Sequence, residues 1–174
     1  MNLSAITVSF PLDEETYEEV QTLCKIAGES DGLLYTNVMN LPVAKSYESR
    51  GFYVLVYDDD KNELVAAGTA IDLMGLNTYE WSLLVAPMYR QLGIGTAVFN
   101  VLREGMEMRE SEGELALMIE GAPFGSDFLQ RKGFLYSFSE ATLEARAEIL
   151  NETTTITLRP YMQHLLMYLL LDNT

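Results

Sequence analysis

The stretch YEWSLLVAPMYRQLGIGTAVFNVLREGM, Tyr79 to Met106, changes its hydrophobic period halfway along. It opens as an apolar run through Trp81 and Leu83 to Val85, halts at Pro87, and turns through Arg90-Gln91-Leu92-Gly93-Ile94-Gly95. From Ile94 on, the apolar residues Ala97, Val98, Val101, Leu102 and Met106 recur at helical spacing, so one face of a helix points at a core. The stretch therefore predicts a strand, a tight glycine turn and a helix. Such a turn lines up backbone N–H groups that lack intrahelical partners at the positive end of the helix dipole, where a diphosphate can sit. At Gly93 and Gly95 a side chain would hold the ligand's oxygens off the backbone, and a nest of amides can require positive φ. Arg90 can add a charge-assisted contact.

Two glycines one residue apart also suit a plain strand-to-helix connection, so the wording around them matters. A dinucleotide site wants G-x-G-x-x-G, whereas Val98 stands where the third glycine belongs. No G-x-x-x-x-G-K-[ST] loop for a nucleoside triphosphate is present.

The run Val85-Ala86-Pro87-Met88-Tyr89-Arg90-Gln91-Leu92-Gly93-Ile94-Gly95 resembles the acyl-CoA-binding signature of the GNAT N-acetyltransferase superfamily. Further on, Phe128-Leu129-Gln130-Arg131-Lys132-Gly133-Phe134 is similar to that family's helix ending in a Gly-Phe step into the next strand. The resemblance implies an α/β fold with a mixed, mostly antiparallel twisted sheet, flanked by helices, in which the strand ending at Val85 and the strand Leu115–Ile119 run parallel and splay apart. It implies acetyl-CoA as cosubstrate, its pantetheine arm on the backbone of Leu83 and Val85. Its diphosphate would lie on the amides of Arg90, Gln91, Leu92, Gly93, Ile94, Gly95 and Thr96. The implied reaction is direct attack of an amine, on a small molecule or a peptide, upon the thioester carbonyl. Glu80 is the first candidate for general base and Glu120 the second. Many members carry a Tyr four residues before the Gly of the Gly-Phe step to protonate the leaving thiolate, and an Asn seven residues earlier; here these are Leu129 and Ala122. Ser126 or Tyr136 could replace that Tyr. The departure keeps a second reading open, a non-catalytic acyl-CoA-binding module.

A chain of 174 residues with 48% apolar content suffices for one domain with a real core. Its formal charge of −15, from 26 acidic and 11 basic residues, argues against nucleic acid or an anionic membrane as partner. A cationic amine would be drawn to it, and solubility alone accounts for the charge equally well. The single cysteine, Cys24, cannot form an internal disulfide and fits a reducing cytoplasm, and Met1–Glu15 lacks the pattern of a signal peptide.

Ile6–Phe10 alternates as a strand; Asp13 can cap a helix that Gly28 would end; Leu41–Ser49 suits a second short helix. Phe52–Tyr57 and Glu63–Leu73 form a hairpin about the turn at Asp58–Asn62, whose three adjacent Asp lack the spacing of a calcium loop, so no metal is expected. Leu115–Ile119 reads as an interior strand, Ser126–Lys132 as a short helix stopped at Gly133, and Phe134–Phe138 as another strand. Ala141–Leu150 suits either strand or helix. The acetyltransferase domain is placed at residues 1–150, with 151–174 as an appendage. Its β-prone Thr153–Leu158 resembles the opening strand of another such domain, as in a tandem protein, and Met162–Leu171 reads as a helix. The same segment could instead complete this domain's own sheet or pair with a second copy in a homodimer.

Overall fold

The computed structural model describes residues 1–144 and 161–170. Its elements run β1 (Leu3–Ser9), α1 (Glu14–Asp31), β2 (Arg50–Asp58), β3 (Glu63–Asp72), β4 (Thr78–Val85), α2 (Ile94–Glu107), β5 (Gly113–Ile119), α3 (Gly125–Arg131), β6 (Phe134–Glu144) and β7 (Tyr161–Leu170). One seven-stranded sheet takes them in the order β1-β2-β3-β4-β5-β7-β6. Every neighbouring pair is antiparallel except β4 with β5, which is parallel.

Local chemistry explains the element ends. The Asp13 carboxylate accepts the Thr16 N–H at 2.8 Å, and Glu14 and Glu15 occupy the positive first turn of α1, both favourable at a helix start. The helix runs past Gly28, its expected stop. The chain doubles back so closely that a Cβ on Gly28 would stand 2.6 Å from the Leu33 carbonyl oxygen. Gly32, left-handed at φ +70°, closes the helix instead. The helix expected over Leu41–Ser49 is one short 3-10 turn, Leu41–Val43, followed by irregular turns; Pro42 and the left-handed Asn40 set that geometry.

The apolar run at the C-terminus, expected as a helix, is the strand β7. Nearly all its residues are apolar, so it carries little polar stripe to distinguish a helix from a buried strand. The open edge of β5 decides: Leu117 pairs with Met167 and Ile119 with Leu165, while β6 closes the other side, Tyr136 opposite Tyr168. Of the ambiguous segment, 141–144 extends β6; the remainder, and the β-prone Thr153–Leu158, lie outside the described residues.

Two cores flank the sheet. On one face Val20, Leu23, Cys24 and Ala27 of α1 pack against Tyr53, Leu55 and Ala67. On the other, Val98, Leu102 and Met106 of α2 meet Phe52, Val54, Ala70 and Trp81. The apolar stripe predicted for α2 is therefore its buried stripe, apart from Val101, which is half-buried against the core, and Ala97, which is exposed. Gly68 permits the close approach that a side chain would block. A Cβ there would lie 2.6 Å from Leu102 Cδ1 and 2.7 Å from Val98 Cγ1.

Candidate active site

The parallel pair comes apart partway. Thr78–Trp81 are in register with Gly113–Ala116, and the pairing ends there. Above that point β4 stays with β3, Ser82 opposite Thr69 and Val85 opposite Ala66, while β5 stays with β7. Each strand keeps its outer neighbour and the inner edges diverge, leaving a V with its vertex at Trp81 and Ala116.

The direction of the β4 main chain follows from one hydrogen bond. The Ala86 N–H donates to the Val65 carbonyl at 2.8 Å, so position 86 addresses β3. Main-chain groups alternate sides along a strand, so Leu84 also addresses β3, while Leu83 and Val85 turn their N–H and C=O toward the gap.

The end of β4 is held from three directions. Tyr89, in a 3-10 turn over Pro87–Tyr89, donates its phenolic O–H to Asp58 Oδ2 at 2.7 Å and accepts from Lys61 Nζ at 2.8 Å, which ties the turn to the β2–β3 hairpin. Arg90 Nε donates to the Val85 carbonyl at 3.0 Å. The rest of that guanidinium grips Asp31, whose side chain is 3% exposed and which also accepts the Tyr35 O–H at 2.7 Å. Burial acts to raise the Asp31 pKa, but the hydrogen bonds from Arg90 and Tyr35 outweigh it and hold the carboxyl below its ordinary value. Burial, then the bond to Asp31, pushes the Tyr35 phenol up.

The chain then turns through Gln91 at φ +62° and Gly93 at φ +84° into α2. No side chain caps this helix, and the first bond back to the turn is Ala97 N–H to Gly93 C=O at 3.1 Å. The N–H groups of Ile94, Gly95 and Thr96 thus precede the first intrahelical bond and stand at the positive pole.

Over the gap lies a cavity of about 540 Å³, within the size range of small-ligand sites. Its wall is drawn from both sides of the sheet: Leu83, Val85, Met118 and Phe128 from the α2 and α3 side, and Tyr35, Val38, Ser82 and Ile119 from the α1 side. Of the predicted coenzyme residues, Leu83, Val85, Arg90, Gln91, Gly93, Gly95 and Thr96 line it. Leu92 projects outward, 56% exposed, and the Ile94 side chain packs into the core. Arg90 lines the wall, but its charge is engaged by Asp31 rather than presented to a ligand.

The three catalytic candidates lie outside the cavity wall. Glu80 is on the α1 side of β4, half-buried, two residues below Ser82. Burial, and secondarily Glu140, raises its carboxyl above the ordinary 4.5, as desolvation and a like charge must. Glu120 is exposed at the end of β5. Ser126, in the first turn of α3, accepts from Gln130 Nε2 at 3.1 Å and from the Tyr168 hydroxyl at 3.3 Å. Leu129 and Ala122 do line the wall, and so does Arg131, a second cation that sequence reasoning passed over although it stands in the quoted Phe128–Phe134 motif. Tyr35 and Val38 carried no sequence signal, because a loop is placed in a site by the fold and not by a motif.

A mixed α/β sheet broken at one parallel pair, with an amide-lined glycine turn at the mouth of the break, defines a ligand-binding domain with its site at the strand ends. The chain belongs to the acetyltransferase (GNAT) family, whose model matches residues 15–117. No curated protein sequence matches it. Among solved structures it is similar to a GNAT-family acetyltransferase from Staphylococcus aureus Mu50, with a TM-score of 0.62, 14% identity and coverage of 93% of this chain and 98% of that one. It is similar also to the PaiA N-acetyltransferase from Thermoplasma acidophilum, solved in complex with coenzyme A, with a TM-score of 0.59, 12% identity and coverage of 94% and 98%. A tandem GNAT protein from the clavulanic acid biosynthesis pathway gives a TM-score of 0.62 at 22% identity, over 80% of this chain and 46% of that one. At these identities the likeness is one of fold. Among the described residues no helix is long and apolar enough to cross a membrane.

Proposed function

We propose that the protein is an N-acetyltransferase that moves the acetyl group of acetyl-CoA to an amine of a small molecule or peptide, in the cytoplasm. The observation that carries this reading is the main chain of Leu83 and Val85, facing an open gap directly below a glycine turn rich in unpaired amides. The diphosphate sits at Gly93–Thr96, with Arg131 as the cation at hand, and the pantetheine arm runs down β4 as an added strand would. The thioester then lies deep in the V, where the Leu83 N–H stabilises the oxyanion.

The acceptor enters from the α1 side, past Tyr35 and Val38. Its neutral amine attacks the thioester carbonyl, the C–N bond forms, and the C–S bond breaks to release CoA thiolate. Positioning supplies much of the rate because the thioester is already activated. No covalent enzyme intermediate is invoked. Glu80, on the α1 face below Ser82, takes the amine's proton through water; its raised carboxyl pKa suits a base better than that of a fully solvated carboxylate. Leu129 has no proton to give, so the thiolate leaves unassisted or is protonated by solvent.

A second reading rests on Leu129 and Ala122 in the wall: a module that binds acyl-CoA without turning it over. Thiol release from acetyl-CoA across a panel of amines, beside calorimetry with CoA, separates the two. Turnover supports the transferase; tight binding without turnover on any amine supports the module.

A further inference from the structure

We propose that Trp81 is the acyl-length gauge of this site, closing the bottom of the V so that only short acyl groups fit. The proposal rests on the acyl-CoA reading above and goes beyond it by assigning acyl specificity to one residue. Trp81 is the last residue of β4 in register with β5, so its ring lies where the gap ends, and it lines the cavity while being only 1% exposed. Alternate residues of a strand share a face, so Trp81 follows Leu83 on the α2 and α3 side, ~6.6 Å further down. With the reacting carbonyl at the Leu83 N–H, the acyl chain has about that distance before it reaches the indole.

The ring cannot step aside. Phe99 lies against it with centroids 5.3 Å apart, and Phe134 meets it edge-on at 5.4 Å; both are buried, and Phe99 is braced in turn by Phe128 at 6.0 Å. A floor backed by close-packed aromatics resists the displacement that an extra methylene would demand. The Trp81 Nε1 donor is buried and has no hydrogen-bond partner among the described residues. Buried indoles ordinarily find one, so this side chain is placed for the shape and rigidity of its ring.

Trp81 is also the chain's single tryptophan, which makes its fluorescence a direct readout of the cavity floor. CoA, acetyl-CoA, propionyl-CoA and hexanoyl-CoA are titrated against the full chain, by calorimetry and by emission. The expected result is a perturbed emission with the short thioesters and hexanoyl-CoA weaker than acetyl-CoA by about tenfold or more. Trp81→Phe, which keeps the aromatic stack but lowers the floor, narrows that ratio to below about threefold. Equal affinity for acetyl-CoA and hexanoyl-CoA in the wild type overturns the proposal without reference to any variant. An unchanged ratio in a folded Trp81→Phe does so too. Failure of CoA itself to bind overturns the coenzyme reading, and this inference falls with it.

Discussion

Arg90 and Asp31 meet in a bidentate pair, Nη1 2.8 Å from Oδ1 and Nη2 2.7 Å from Oδ2, with side chains 16% and 3% exposed. The pair joins the last residue of α1 to the glycine turn, across 59 positions of sequence. Through Nε the same arginine holds the carbonyl of Val85. Arg90 therefore works as a positioning residue. It fixes the end of β4 and the α1-side wall relative to each other, where the sequence alone suggested a phosphate ligand.

Breaking this pair leaves a buried charge uncompensated. Asp31→Asn is expected to destabilise the protein by about 3 kcal/mol, which for a chain of this size lowers Tm by roughly 6–12 °C. Because the folded-state pKa of Asp31 is depressed, its contribution is present above the ordinary value of 3.8 and is lost as pH falls through the lower folded value. The stability gap between wild type and variant should hold constant from neutral pH to about pH 5 and close at lower pH. Denaturant unfolding as a function of pH measures it; a gap that persists undiminished in acid would contradict the account.

Gly93 and Gly68 should respond differently to the same change. Nothing lies within 4 Å of a Cβ built on Gly93, whose φ is +84°. Gly93→Ala therefore meets only the cost of a left-handed backbone, about 1–2 kcal/mol, while its methyl enters the cavity mouth and weakens CoA binding. Gly68→Ala drives a methyl into Val98 and Leu102. That overpacking costs about 1–3 kcal/mol; Gly68 is the β3 partner of Leu83 but does not itself line the cavity, so the change is expected to weaken CoA binding less than Gly93→Ala does. Calorimetry on both variants beside their melting curves checks the contrast. Equal loss of affinity in the two would remove the distinction between site and scaffold.

Cys24 is a core residue. Burial pushes its thiol up to about 12, so almost no thiolate is present at neutral pH. A chromogenic disulfide reagent should label native protein negligibly and label one equivalent in denaturant, which leaves CoA-thiol release free of protein background. Rapid stoichiometric labelling of the native chain would show the α1 core to be open.

Glu80 carries the base assignment. Glu80→Gln should lower kcat/KM by roughly 10²-fold on any accepted amine. In the wild type the acid limb of the pH profile should lie above 4.5, because burial, with Glu140 adding to it, raises the carboxyl that must lose its proton before it can act. The variant should lose that limb. An unchanged profile in Glu80→Gln would transfer the role to solvent.

How far the sequence carries can be seen element by element. Tyr79–Met106 announced strand, turn and helix because its hydrophobic period changes from a continuous run to a helical stripe across two glycines, and those are local signals. The direction of β4 relative to β5, and the splay between them, came from family resemblance and not from spacing. The apolar run expected as a helix misled because a run with little polar stripe fits helix and strand equally; over its described residues, 162–170, only the unpaired edge of β5, set by the rest of the fold, selects the strand. At Arg90 the local reading is incomplete for a related reason: a guanidinium beside a glycine turn suggests a phosphate, and nothing local reveals the ion pair it makes with Asp31 of α1. Tyr35, Val38 and Trp81 entered the site through tertiary placement alone.

The central claim is that main-chain amides of β4 and of the glycine turn hold the coenzyme, and backbone-amide NMR during a titration with CoA tests it most directly. The largest and saturable shifts are expected at Leu83, Val85 and Gly93–Thr96, with β1 and the β2–β3 hairpin unmoved. Saturable binding whose shifts fall elsewhere, or spectra that do not change at millimolar CoA, would contradict it.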